Sequence, residues 1–240
     1  MDELNFLKTF IEDCKYYDPD KIEIKTILEN VNLKNKVVLD IGSGIGRLSF
    51  PLAKYSKKII ALDKDYRFEE YFRQKRKDNV VFINQSVEKY LAKNKKFDII
   101  LLAWPTINYK FLELIKRSMD EDSQFIFITC DNNSDFETIV DKIGVFDKNY
   151  FEKDINNKEK FLKILPKMFK VIKSTKINTR YVYPNEKIAF KIIKNSINLW
   201  FKIRLDQKAE IKLKQLINKH KKGKKVIFKE KIFFYILKIK

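Results

Sequence analysis

The stretch VVLDIGSGIGRLSFPLAK, from Val37 to Lys54, contains three of the five glycines of the chain: Gly42, Gly44 and Gly46. An apolar run leads into these glycines. Apolar side chains at helical spacing follow them, namely Ile45, Leu48, Leu52 and Tyr55. This order predicts a strand, a tight turn and the start of a helix. Such a turn can bring backbone N–H groups and the positive end of a helix close to a polar ligand.

Around this turn, short apolar runs alternate with helix-like stretches, which is typical of a parallel sheet. Five runs predict strands, at residues 36–42, 57–63, 79–84, 97–104 and 123–130. Their central residues are almost wholly apolar, as expected for strands that are buried on both faces. Two later stretches, 169–185 and 225–239, predict further strands that fit the same sheet with an antiparallel edge.

Two kinds of cofactor site compete for the glycine-rich turn. A dinucleotide site has the spacing G-x-G-x-x-G, but the third of these positions is Arg47 in this chain. The spacing is instead D-x-G-x-G-x-G, from Asp40 to Gly46, and a second acid, Asp63, ends the second predicted strand. This combination resembles the first motif of the class I S-adenosylmethionine-dependent methyltransferases. A nicotinamide cofactor is the less favoured alternative.

The resemblance implies S-adenosyl-L-methionine as the cofactor and gives the motif residues their roles. Backbone at Gly42, Gly44 and Gly46 would approach the ligand closely, because glycine has no side chain. Asp40 would receive the ammonium group of the ligand, directly or through water. Asp63 would accept both ribose hydroxyls in charge-assisted hydrogen bonds. The implied fold is α/β and Rossmann-like, with a mostly parallel seven-stranded sheet and helices on both faces.

Two further positions after the third and fourth predicted strands are candidate cofactor contacts. In the resembling family a turn similar to Gly-Asp-Ala-Glu follows the third strand, and its Asp binds the adenine amino group. Residues 85–88 read Gln-Ser-Val-Glu, so Ser86 stands at that position and its hydroxyl can accept the bond. A simple helix N-cap is the alternative for Ser86. Trp104 follows the fourth strand, at the edge where open α/β sheets bind ligands, and core packing is its alternative.

The positive charge of the chain is concentrated in its last third. The net charge is +19, and residues 151–240 carry 26 basic and 7 acidic side chains, which accounts for the whole excess. Lysine greatly outnumbers arginine, which is typical of AT-rich coding and favours a merely solvated surface. The loss of acidic residues from this region instead favours an anionic partner, such as RNA bound through residues 160–229.

Several classes of protein are disfavoured by composition. One histidine and two cysteines give no zinc-type ligand set, so no metal site is predicted. The start of the chain, MDELNFLKTF, lacks the pattern of a signal peptide, and no apolar run is long enough to span a membrane. The two cysteines, far apart in the sequence, are interpreted as reduced thiols, so a cytoplasmic location is predicted.

These observations predict one methyltransferase domain over residues 1–240. Helices in residues 1–30 and the segment 135–167 are expected to cover the acceptor pocket. The predicted function is methyl transfer from S-adenosyl-L-methionine to a small-molecule acceptor. An RNA methyltransferase that uses the basic region, and a non-catalytic S-adenosyl-L-methionine-binding module, are the two alternatives. No catalytic base is assigned, since methyl transfer depends mainly on alignment and the exclusion of water.

Overall fold

A computed structural model describes residues 3–105, 109–131, 134–144 and 148–240. The helices are α1 (Glu3–Tyr16), α2 (Ile22–Asn30), α3 (Ser49–Leu52), α4 (Glu69–Lys75), α5 (Val87–Leu91), α6 (Lys110–Arg117), α7 (Asp135–Ile143), α8 (Lys148–Met168), α9 (Glu186–Phe201) and α10 (Gln207–Lys219), with a 3-10 turn at Tyr66–Phe68. The strands are β1 (Val37–Ile41), β2 (Lys58–Asp63), β3 (Val80–Asn84), β4 (Ile99–Ala103), β5 (Gln124–Cys130), β6 (Phe169–Tyr183), β7 (Lys221–Lys222) and β8 (Lys225–Ile239).

The strands form one sheet in the order β3-β2-β1-β4-β5-β8-β6, and the short strand β7 pairs with β8. The pairs β1–β2, β1–β4, β2–β3 and β4–β5 are parallel. The predicted α/β fold with a mostly parallel sheet is therefore confirmed. Beyond the seven strands that were predicted, the sheet includes β7, whose two lysines carry no apolar signal in the sequence.

The chain divides into two compact units. The larger unit comprises Ile24–Thr129, Lys153–Lys176 and Phe233–Lys240, and the smaller unit comprises Met1–Glu23, Cys130–Glu152 and Ile177–Ile232. The prediction of one methyltransferase domain over residues 1–240 stays a prediction. The same holds for residues 1–30 and 135–167 as covers of the acceptor pocket, and residues 1–2 and 145–147 of these segments lie outside the described residues.

The larger unit buries both faces of its central parallel strands, β1, β4 and β5. Because strand side chains alternate between faces, residues 39 and 41 of β1, 100 and 102 of β4, and 125 and 127 of β5 share one face. These residues form one apolar cluster with residues of α6 and α8, such as Leu112 and Phe161. Asp40 consequently lies on the other face of β1, on the side away from this cluster.

The smaller unit packs α7, α9 and α10 into a second apolar cluster with Tyr183, Val226 and Phe228. Helices α9 and α10 each begin with a side-chain cap. Asn185 accepts a hydrogen bond from the backbone N–H of Ile188, and Asp206 accepts one from that of Ala209. Such caps satisfy N–H groups that the first helical turn leaves without partners.

The helix predicted after the glycine-rich turn is shorter than its apolar spacing indicates. Helix α3 has only four residues, and the side chain of Tyr55 is 51% exposed. Ile45, Leu48 and Leu52 are buried as predicted, but β2 begins at Lys58, so the chain leaves the helix before Tyr55. Any anion site here depends on individual backbone N–H groups, because so short a helix has little dipole.

Candidate active site

The glycine-rich turn has an unusual backbone that only glycine adopts easily. Gly42, Gly44 and Gly46 all have positive φ angles, of 70°, 53° and 73°. The backbone N–H groups of Gly42 and Ser43 donate to the carbonyl oxygen of Leu62, at 2.8 and 3.1 Å, which fixes the turn to the end of β2. A side chain added at Gly42 would meet no heavy atom within 4 Å. The turn therefore leaves open space beside its backbone.

Asp63, at the end of β2, is held in place by two backbone N–H groups. Gly44 donates to its Oδ2 atom and Asp65 donates to its Oδ1 atom, each at 2.9 Å. Burial raises the pKa of Asp63 above its ordinary value, although both hydrogen bonds act in the opposite direction. A carboxylate offers about four acceptor positions, so about two remain for a ligand.

Asp40, near the end of β1, is only 3% exposed and accepts a hydrogen bond from the Ser49 hydroxyl at 2.5 Å. Burial raises the pKa of Asp40 to about 7, while the Ser49 bond and the charge of Arg47 lower it and the charge of Asp63 raises it. The sequence analysis missed Ser49 and used Arg47 only to reject a dinucleotide site. The one available signal for Ser49 was a small polar residue between two apolar residues, Leu48 and Phe50.

We expect Asp40→Asn to raise the free energy of unfolding at pH 8. The pKa of Asp40 is higher in the folded chain than in the unfolded chain, so the unfolded chain loses this proton first as the pH rises. Stability falls between about pH 4 and pH 7, by on the order of 2 to 4 kcal/mol. Asparagine can still accept the Ser49 bond and carries no charge, so the variant avoids this loss.

Urea unfolding of both proteins at pH 4 and pH 8 measures this effect. Burial also raises the pKa of Asp13, to about 6, so the stability of each protein alone depends on pH through both residues. The contribution of Asp13 is the same in both proteins and cancels in the difference between variant and wild type. The same difference at both pH values would contradict a raised pKa for Asp40 in the folded chain.

Gly46 has a packing role that the motif did not reveal. A Cβ atom built at Gly46 would lie 2.7 Å from Cζ of Phe72 and 2.8 Å from Cε2 of Phe50. Both distances are far below van der Waals contact, so two aromatic rings occupy the space of any side chain here. Packing against these two rings is sufficient to explain why residue 46 is a glycine. The predicted contact between Gly46 and the cofactor therefore stays a prediction.

The turn after β3 places two polar residues near Asp63. The Ser86 hydroxyl accepts a hydrogen bond from the backbone N–H of Lys89 at 3.4 Å and so caps α5. The backbone N–H of Gln85 donates to the carbonyl oxygen of Asp63 at 3.0 Å. Its side-chain Oε1 atom is buried without a hydrogen-bond partner among the described residues. The adenine contact by Ser86 stays a prediction, and Gln85 is a neighbouring candidate that the sequence analysis missed.

Trp104, directly after β4, has a strained backbone. Its φ angle is +53°, and its backbone N–H donates to the carbonyl oxygen of Ile128 at 2.9 Å. A left-handed conformation costs a bulky residue on the order of 1 to 2 kcal/mol, and such strain is concentrated at functional sites. The side chain is partly exposed rather than part of the buried core. Its predicted contact with the cofactor stays a prediction.

These features fit the chemistry of a sulfonium-bearing amino-acid nucleoside. The carboxylates of Asp40 and Asp63 lie at the ends of β1 and β2, and the turn leaves space beside Gly42. Their predicted contacts with the ammonium group and the ribose hydroxyls stay predictions. The Ser43 hydroxyl, like Gln85 Oε1, is buried without a hydrogen-bond partner in the described chain. An orphaned buried polar atom is costly, so a ligand donor that reached it after a side-chain rotation would be favoured. Within the described ranges, no His, Cys, Asp or Glu cluster is arranged to hold a metal ion.

A sequence profile described as "Methyltransferase domain" matches residues 32–203, which is more than half of the chain. The chain belongs to the methyltransferase-domain family. This membership confirms the resemblance to class I S-adenosylmethionine-dependent methyltransferases and the predicted cofactor, S-adenosyl-L-methionine. No helix in the described part of this methyltransferase-domain protein has the length and apolar character needed to cross a bilayer.

Similarity to individual proteins agrees with the family. A protein of Methanosphaera stadtmanae named "Probable ribosomal RNA small subunit methyltransferase A" is 49% identical over 49 residues, or 20% of this chain and 17% of the relative. An uncharacterized RNA methyltransferase of Mycoplasma mobile is 33% identical over 113 residues, or 43% of this chain and 30% of the relative. The chain therefore spans less than a third of the length of each of these curated relatives.

A solved structure shows the same fold over nearly the whole chain. A candidate Type II methyltransferase of Anaeromyxobacter dehalogenans superposes with a TM-score of 0.60 and 12% identity. The match covers 90% of the methyltransferase-domain protein and 94% of the other chain. At this identity the similarity concerns the fold alone.

Proposed function

We propose that this methyltransferase-domain protein transfers a methyl group from S-adenosyl-L-methionine to RNA. The observation that carries the choice of acceptor is the charge of residues 151–240, which hold the whole net positive charge of the chain. Many of these basic side chains are exposed, including Lys202, Arg204, Lys208, Lys219, Lys222, Lys224, Lys225, Lys229 and Lys231. Neutralisation of phosphates by such side chains supplies most of the affinity in sequence-independent nucleic-acid binding.

The two curated relatives support this choice, since both are named as RNA methyltransferases. A small-molecule acceptor, preferred from the sequence alone, uses the same cofactor site but leaves the exposed lysines without a role. We therefore place RNA first and keep the small molecule as a distinct outcome of the test below.

The residues at the carboxyl ends of β1 and β2 would hold the cofactor. Asp63 would accept the ribose hydroxyls at its two remaining acceptor positions, while Gly44 and Asp65 fix its orientation. Asp40 would bind the ammonium group, and the nearby positive charge would lower its pKa. When bound, S-adenosyl-L-methionine supplies an electrophilic methyl group on a sulfonium.

Positioning of the methyl acceptor would contribute more to the reaction than acid–base catalysis. Trp104 is a partly exposed aromatic residue at the carboxyl end of β4, and RNA-binding proteins stack unpaired bases on aromatic side chains. Holding an acceptor atom in line with the transferred group lowers the barrier without a dedicated proton acceptor.

A transfer assay with tritium-labelled S-adenosyl-L-methionine tests the proposed function. The acceptors are total RNA from cells lacking the gene and the low-molecular-weight fraction of the same cells. We expect label in nuclease-sensitive RNA, and we expect the Asp63→Ala variant to transfer about 30-fold less at a cofactor concentration below the dissociation constant of the wild type.

The other outcomes separate the alternatives. Label only in the low-molecular-weight fraction would contradict an RNA acceptor and favour a small molecule. Tight binding of S-adenosyl-L-methionine without transfer to either fraction would contradict catalysis and favour a binding module.

A further inference from the structure

A short hairpin in the smaller unit carries a dense group of lysines. We define the lysine hairpin as residues 221–225, which comprise β7, Gly223, Lys224 and the first residue of β8. Strand β7 pairs with β8 in antiparallel register, with Lys222 opposite Lys225. All four lysines of this hairpin are exposed.

The register of the hairpin creates electrostatic repulsion. Like charges directly opposite each other on paired strands are destabilising, and Lys222 and Lys225 occupy such positions. Lys224 lies in the connecting turn between them, which raises the local positive charge further. Lys221 pairs with Glu186, so one of the four charges has a partner inside the chain. An anion bound at the hairpin tip would relieve the remaining repulsion.

The base of the hairpin is firmly packed. Val226 and Phe228 are completely buried, and the ring of Phe228 lies 4.6 Å from the ring of His220, measured between centroids. The backbone N–H of Ile227 donates to the carbonyl oxygen of His220 at 3.0 Å. The lysines therefore project from a fixed support, which lowers the entropy lost when they contact a partner.

We propose that the lysine hairpin contacts the phosphate backbone of RNA. This inference rests on the proposed function, because it takes RNA as the acceptor and names the element that holds it. Lysine contacts phosphate as a point charge and provides little base recognition, so the contact should be independent of RNA sequence. An anionic membrane is a poorer partner, since the apolar residues next to the tip, Val226 and Phe228, are buried rather than available for insertion.

The test compares two triple variants that lose the same charge. The hairpin variant is Lys222→Gln, Lys224→Gln and Lys225→Gln. The control variant is Lys54→Gln, Lys57→Gln and Lys58→Gln, three exposed lysines of the larger unit that lie at the first residue of β2 or shortly before it. Because both variants lose three positive charges, a difference between them reports a local contact rather than the overall field of the protein.

Filter binding to single-stranded RNA over a range of salt concentrations provides the main measurement. We expect the slope of log affinity against log salt to fall by about 2 in the hairpin variant, since about 0.7 counterions are released per phosphate contact. The control variant should keep the wild-type slope. Thermal unfolding should show the hairpin variant to be at least as stable as wild type, because the Lys222–Lys225 repulsion is gone.

The other results contradict either the hairpin inference or the proposed function. Equal losses of slope in the two variants would mean that only net charge matters. Binding to phosphatidylserine vesicles that the hairpin variant loses and the control variant keeps, without binding to RNA, would assign the hairpin to a membrane. If the hairpin variant binds and methylates RNA like wild type, the hairpin proposal fails while the proposed function stands. If RNA binding depends on the hairpin but label enters only small molecules, the proposed acceptor fails instead.

Discussion

Asp63→Ala is expected to weaken the binding of S-adenosyl-L-methionine by about 30-fold or more, which corresponds to at least about 2 kcal/mol. The variant removes the carboxylate that would accept the ribose hydroxyls, and hydrogen bonds to an ionised group are stronger than those between neutral groups. It also releases the backbone N–H groups of Gly44 and Asp65, which Asp63 holds at 2.9 Å each. Isothermal titration calorimetry measures the affinity directly.

Asp98→Ala is the matched control for this prediction. Asp98 directly precedes β4 and accepts a hydrogen bond from the backbone N–H of Val37 at 2.8 Å. Its loss therefore removes a similar carboxylate–backbone contact at the opposite, amino-terminal end of the parallel strands. We expect cofactor affinity to be unchanged in this variant. An unchanged affinity in Asp63→Ala would show that the ribose binds elsewhere, and equal losses in both variants would indicate a general effect on the fold.

Gly46→Ala is expected to destabilise the protein by roughly 3 kcal/mol or more. A left-handed conformation costs alanine about 1 to 2 kcal/mol, and overpacking adds about 1 to 3 kcal/mol. The Phe72 ring cannot move aside freely, because it lies between Phe50 and Phe82, with ring centroids 4.9 and 4.7 Å away. Urea unfolding followed by circular dichroism gives the loss as a change in midpoint.

Gly42→Ala separates the cost of the backbone from the cost of packing. Gly42 has nearly the same φ angle as Gly46, but no heavy atom lies within 4 Å of an added Cβ. We expect the smaller loss of about 1 to 2 kcal/mol from strain alone. A second substitution, Phe72→Leu, should restore part of the stability of Gly46→Ala and none of that of Gly42→Ala. Equal losses in the two glycine variants would contradict a packing role for Gly46.

The order of elements and the main motif were predictable because both depend on local patterns. The strands β1 to β5 consist mainly of apolar residues, so they could be identified without any long-range information. Strands β4 and β5 are almost fully buried, as predicted, but β3 is only partly buried because it lies at an edge of the sheet. The motif from Asp40 to Gly46 also required positive φ angles at its glycines, which the structure shows. Physical rules about buried strands and unusual backbone angles therefore predict this half of the chain well.

The contacts that tune the site were not predictable, because they join residues distant in sequence. The packing of Phe72 against Gly46 and the bond from Ser49 to Asp40 depend on how α3 and α4 are placed. The strained backbone of Trp104 leaves no trace in composition or periodicity. Strand β7 could not be predicted from apolar residues either, since it consists of two lysines whose backbone pairs with β8.

The two hydrogen bonds that Asp63 accepts from the backbone have a consequence for the thermodynamics of ligand capture. They fix the rotamer of the carboxylate when the chain folds, so the side-chain entropy is lost at that stage and not at the moment of association. An acid that rotated freely would have to be immobilised by each incoming ligand. A preorganised acceptor therefore gives tighter binding from the same number of contacts.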